Sequence, residues 1–137
     1  MTPLTKRLSL PMDDDIALAE RIDSGLPAWT ITEMVKILRL ASISSVAVLI
    51  GMSAKTAKRQ VAQRCVLNRN ESERMVRLIR VYDKAVGTFE SHENARKWLA
   101  RPLSCLNGKS PLELVGSEPG ARAIEQALGR LEHGVFG

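Results

Sequence analysis

Helix-start signatures recur along this chain, and no segment of it alternates between apolar and polar residues. Together these facts confine it to helical architectures. Thr30-Ile31-Thr32-Glu33, Asn68-Arg69-Asn70-Glu71 and Ser110-Pro111-Leu112-Glu113 each place a short oxygen-bearing side chain three residues ahead of a glutamate. At that spacing the two side chains can satisfy each other's free backbone N–H groups. Apolar residues then recur every three or four positions. Met34, Ile37, Leu38 and Ala41 follow the first signature, and Met75, Leu78, Ile79, Tyr82 and Val86 the second. Ser53 and Ser91 stand where they can cap two more helices, one from Ala54 to about Arg64 and one reaching Ala100. The run Ile43 to Ile50 is almost wholly apolar and predicts a buried helix stopped at Gly51. A last helix is expected from about Glu118 to His133, ended by Gly134. The expected fold class is all-α.

The chain has 137 residues, of which 45% are hydrophobic but only 4% aromatic. That suffices for one domain, or two very small ones, packed mainly through aliphatic side chains. No apolar run approaches the roughly 20 residues a membrane span needs. Lys6 and Arg7 are followed by Leu8-Ser9-Leu10-Pro11-Met12 and three aspartates, with no apolar core of a leader. A cytoplasmic protein without a membrane partner is expected. Cys65 and Cys105 fall in no metal-ligand pattern and read as buried, reduced thiols. Enzymatic chemistry finds little footing. His92 and His133 are the only near-neutral bases, on separate helices, and no phosphate loop, metal-ligand spacing or nucleophile elbow is present. No catalytic residue, metal ligand or cofactor is therefore assigned.

Charge is concentrated in the middle. Between Ala54 and Arg80 lie eight basic and two acidic residues, a local +6 in a chain whose net charge is +5. A polyanionic partner leaves such a footprint, and a solvated helical face is the alternative. Within this region Ser45 to Gln63 has the layout of a helix-turn-helix. Ala47 allows close helix approach, Gly51 suits the left-handed turn, and Val46, Ile50 and Met52 face inward. Lys55, Thr56, Lys58 and Arg59 on the second helix are the expected DNA contacts, with Arg59 the best suited to guanine. Arg69, Arg74 and Arg77 are candidate phosphate contacts. Gln60 breaks the apolar pattern, so the register there could shift by one.

From Ala95 onward the chain holds Trp98, Leu99, Pro102, Leu106, Gly108, Pro111, Leu114, Gly120, Ile124, Leu128, Arg130 and Gly134. This string closely resembles the toxin-binding domain of the Xre/MbcA/ParS antitoxin family. The region holding Ser53, Thr56, Arg59 and the Asn70-to-Arg74 helix start resembles the Xre-like helical part that precedes it. Three segments are expected: a partly flexible arm over 1–28, an Xre-like helix-turn-helix region over 29–88, and a toxin-binding domain over 89–137. The resemblance implies a cognate toxin of the RES, ADP-ribosyltransferase-like type that consumes NAD. It also implies neutralisation by plugging the toxin's NAD site with the C-terminal end, and operator binding that represses the antitoxin's own operon, with the antitoxin a homodimer in the complex. Arg130, His133, Gly134, Val135, Phe136 and Gly137 are the expected toxin contacts. Val135 and Phe136 are apolar with nothing behind them to cover them, and the α-carboxylate of Gly137 adds a negative charge suited to a dinucleotide pocket. A frayed tail is the bland alternative, and Arg130 could equally bond the last helical carbonyls. A stand-alone helix-turn-helix transcriptional regulator is the competing function, but it gives no reason for the Trp98-to-Gly134 string.

Overall fold

The computed structural model describes residues 2–134. Among the described residues the chain is all-α: helices α1 (Leu4–Arg7), α2 (Asp15–Ser24), α3 (Trp29–Leu38), α4 (Ile43–Leu49), α5 (Ala54–Ala62), α6 (Arg69–Phe89), α7 (His92–Ala100), α8 (Pro111–Leu114) and α9 (Glu118–Glu132), with a 3-10 turn at Ser104–Leu106. They fall into two compact units. One is Leu8–Val76, and the other is Arg77 onward together with the segment up to Arg7.

In the Leu8–Val76 unit, α3, α4 and α5 pack on one another. Ile31, Met34, Val46, Ala47, Ile50 and Ala57 lie fully buried among them. Each Ile or Met hidden in this way is worth about 1.5–3 kcal/mol. Asp14 caps α2 by accepting from the Ile16 and Ala17 amides, which places negative charge at the positive end of that helix. The Thr30 capping box does not form. Helix α3 begins at Trp29 with no side-chain cap, and the Thr30 hydroxyl donates to the Pro27 carbonyl at 2.7 Å. Helix α4 is also less buried than its composition suggests, because Val48 is 76% exposed. The entry to α3 is tied to the chain before α6 by an extended contact. Ala28 N–H donates to the Cys65 carbonyl at 3.0 Å and Leu67 N–H to the Leu26 carbonyl at 2.8 Å. Gly25, at φ 87°, makes that approach possible: a Cβ there would collide with the Leu67 carbonyl oxygen.

The second unit is built on α6 from Arg77, with α7, α8 and α9. Tyr82, Leu78, Ile79, Leu99, Ile124 and Leu128 are its largest fully buried side chains. Ser91 caps α7. Ser110 and Glu113 form the reciprocal capping box read from the sequence, with Pro111 in the first turn. The segment between α7 and α8 closes on itself through Leu103 and Lys109, and Asn107 and Gly108 supply left-handed φ values of 58° and 79°. The amino terminus is held as well: the Leu4 and Thr5 amides donate to the two Asp83 carboxylate oxygens at 2.7 and 2.8 Å.

Candidate functional site

The turn between α4 and α5 is built by hydrogen bonds that release the chain from one helix and start the next. Ile50 N–H still reaches the Val46 and Ala47 carbonyls, Gly51 takes φ 69°, and Met52 N–H returns to the Ala47 carbonyl at 2.9 Å. Ser53 then accepts from the Thr56 amide at 3.1 Å and donates its hydroxyl to Thr56 Oγ1 at 2.8 Å. Helix α5 buries Ala57 and leaves Lys55, Lys58 and Arg59 in water. Positions three and four apart share a face, so these three cations form one stripe. Among the described residues none of the three is in an ion pair. Thr56 is half-buried and occupied by the cap. Gln60 is half-buried too, with its side-chain oxygen lacking a hydrogen-bond partner.

The other basic candidates differ among themselves. Arg69 is exposed and pairs with Asp23 at 3.0 Å. Arg74 is half-buried, lies over Gly51 and directs Nη1 at the Ile50 carbonyl at 3.5 Å. It thus sits at the turn that precedes α5. Arg77 belongs to the second unit and is not a surface cation. Its side chain is 8% exposed, with Nε 3.3 Å from Glu118 Oε2 and Nη1 donating to the Gly116 carbonyl at 3.0 Å. Arg80 joins the same cluster through Glu118 and Glu125, at 3.4 and 3.0 Å. These pairs join residues about forty positions apart, so no local signal could have revealed them.

At the carboxyl end, α9 stops where His133 N–H reaches the Gly129 carbonyl and Gly134, at φ 69°, donates to Leu131. Arg130 is half-buried, and His133 and Gly134 are exposed. Val135, Phe136 and Gly137 lie outside the described residues. Upstream, α9 approaches α8 so closely that a Cβ at Gly120 would overlap the Leu114 carbonyl oxygen. His92, one of the two bases in the sequence, is held within the fold: its Nδ1 is 2.6 Å from Tyr82 Oη and the rings stack at 5.9 Å. Burial pushes the Tyr82 phenol above its ordinary range, against the opposing pull of Arg96. The thiols depart from expectation, because Cys65 is only half-buried and Cys105 is exposed. Among the described residues no cluster of three or more His, Cys, Asp or Glu could hold a metal ion, and no helix is long and apolar enough to cross a membrane.

Comparison with known proteins converges on one family. Residues 84–134 match the model of the antitoxin Xre/MbcA/ParS C-terminal toxin-binding domain. The antitoxin Xre of Yersinia enterocolitica is 31% identical over 98% of this chain and 95% of its own length. A Sphingobium protein named Prs ADP-ribosylating antitoxin is 23% identical over 64% of this chain and 60% of its own. A chain in the crystal structure of the M. tuberculosis MbcT–MbcA toxin–antitoxin complex shares the fold, with a TM-score of 0.58 at 22% identity over 80% of this chain and 96% of that one. With its carboxyl-terminal helices matched to a toxin-binding domain and nearly its whole length matched to a named antitoxin, the chain belongs to the Xre/MbcA/ParS family of antitoxins.

Proposed function

We propose that this antitoxin neutralises a RES-type, ADP-ribosyltransferase-like toxin by filling the toxin's NAD site with its carboxyl-terminal end. Arg130 and His133 to Gly137 make the contact. The observation that carries this reading is the match of residues 84–134 to a toxin-binding domain, which runs to the turn that closes α9 at Gly134. An ADP-ribosylating system among the relatives supports an NAD-using target. The protein acts in the cytoplasm by occupancy and does no chemistry.

The same molecule binds operator DNA through α5 as a homodimer and represses its own operon. Support comes from the exposed Lys55, Lys58 and Arg59 stripe behind a left-handed turn at Gly51. Thr56 sets the start of that helix, and Arg69 and Arg74 flank it as phosphate contacts.

Co-expression with the adjacent gene, scored by growth and cellular NAD, tests the neutralisation. Expression of the neighbour alone should deplete NAD and arrest growth, and the antitoxin should restore both. A neighbour that leaves NAD untouched contradicts the proposal.

A further inference from the structure

Helix α9 ends on a residue that helix electrostatics disfavours. Glu132 is its final residue, where unsatisfied carbonyls gather partial negative charge and a cation, not a carboxylate, is stabilising. A carboxylate there needs a compensating partner, and it has one. Its Oε1 accepts from the Thr88 hydroxyl at 2.9 Å, across 44 positions of sequence. Thr88 is half-buried, one residue before the end of α6. Its Oγ1 also lies 3.0 Å from the Lys84 carbonyl oxygen. A hydroxyl has a single proton to give, and the charged carboxylate is the stronger acceptor of the two.

Little else holds this end of α9. Ile124, Ala127 and Leu128 are buried, but from Gly129 to Gly134 every residue is half-buried or exposed. Among the described residues, the bond between Thr88 and Glu132 is the only side-chain hydrogen bond or ion pair made by that stretch. A terminal turn held by backbone bonds alone frays. The same stretch carries Arg130, two positions before Glu132, and His133, directly after it.

We propose that Thr88 is a positioning residue for toxin inhibition: by holding the Glu132 carboxylate it fixes the last turn of α9, and with it the direction in which Arg130 and His133 meet the toxin. The assignment rests on the NAD-site reading and puts part of its machinery on α6, outside the helix that makes the contact. Thr88→Val isolates the bond, because it keeps the branched shape and nearly the same helix propensity while removing the hydroxyl.

The test is the inhibition constant of full-length variants against NAD consumption by the purified cognate toxin, with circular dichroism and thermal unfolding as the check on folding. Thr88→Val should keep the helical signal and the thermal midpoint and inhibit about tenfold more weakly, the scale of one charge-assisted hydrogen bond. Glu132→Ala should lose as much, and the double variant no more than either single one, because both remove the same bond. Thr88→Ser, which keeps the hydroxyl, should inhibit like the original. Losses that add in the double variant overturn the proposal, since Glu132 then meets the toxin by itself. So does a serine variant as weak as the valine one. Thr88→Val inhibiting as tightly as the original, while a chain ending at His133 does not inhibit, overturns the proposal and leaves the NAD-site reading standing. An original antitoxin that binds the toxin without slowing NAD consumption overturns both.

Discussion

Gly120 and Gly129 lie in the same helix and respond to the same substitution with opposite signs. Gly129 has open space where a Cβ would go, so Gly129→Ala should stabilise the protein by up to about 1 kcal/mol through helix propensity alone. A Cβ on Gly120 meets the Leu114 backbone, which cannot swing aside as a side chain can, so Gly120→Ala should lower stability despite the same propensity gain. Denaturant unfolding of the two variants measures both. A second residue-level prediction concerns Tyr82. Its phenol is raised by burial, so the folded chain holds this proton more tightly than the unfolded one. The associated stability is complete below the unfolded pKa near 10 and is lost as pH rises through the folded value. Tyr82→Phe should therefore flatten the alkaline fall in stability. It should also cost about 0.5–1.5 kcal/mol at neutral pH, because the bond to His92 can no longer form. Residue chemistry is legible in the sequence where it is local: the Asn68–Glu71 and Ser110–Glu113 boxes form as read. It is illegible where the partner is remote. Asp83 holds the amino terminus from 79 positions away at Leu4, and nothing near Arg77 announces Glu118.

At the scale of elements, capping signals locate most helices and leave their faces open. Thr30-x-x-Glu33 has the composition of a cap, but the chain from Leu26 to Ala28 pairs with Cys65 and Leu67, and that non-local contact sets where α3 begins. Two residues of pairing leave no alternation to find. Similarly, an all-apolar segment such as α4 carries no polar residue to mark its solvent side, so Val48 does not stand out in the sequence. Helix α5 is the reverse case. Its cations interrupt a small buried seam at Ala57, so the exposed stripe is readable from residue types alone. The consequence is testable. Replacing Lys58 and Arg59 with Ala should weaken operator binding and reduce its salt dependence by about one unit of slope for each phosphate no longer neutralised. Inhibition of the toxin should be unaffected. A gel shift unchanged in affinity and salt response would remove both residues from the interface.

For the whole molecule, composition and periodicity reach the fold class, and resemblance reaches the family. Neither foresees that α6, read as a single helix, contributes to two compact units, changing membership between Val76 and Arg77. Occupancy of the toxin's NAD site is the central functional proposal, and it concerns Arg130 and the residues from His133 onward. The direct measurement is NAD consumption by the purified cognate toxin, titrated with the full antitoxin and with a chain ending at His133. Full antitoxin should abolish consumption at stoichiometric amounts. The shortened chain should keep its helical signal and still bind the toxin through α7 to α9, yet leave NAD turnover running. Complete inhibition by the shortened chain would contradict the account.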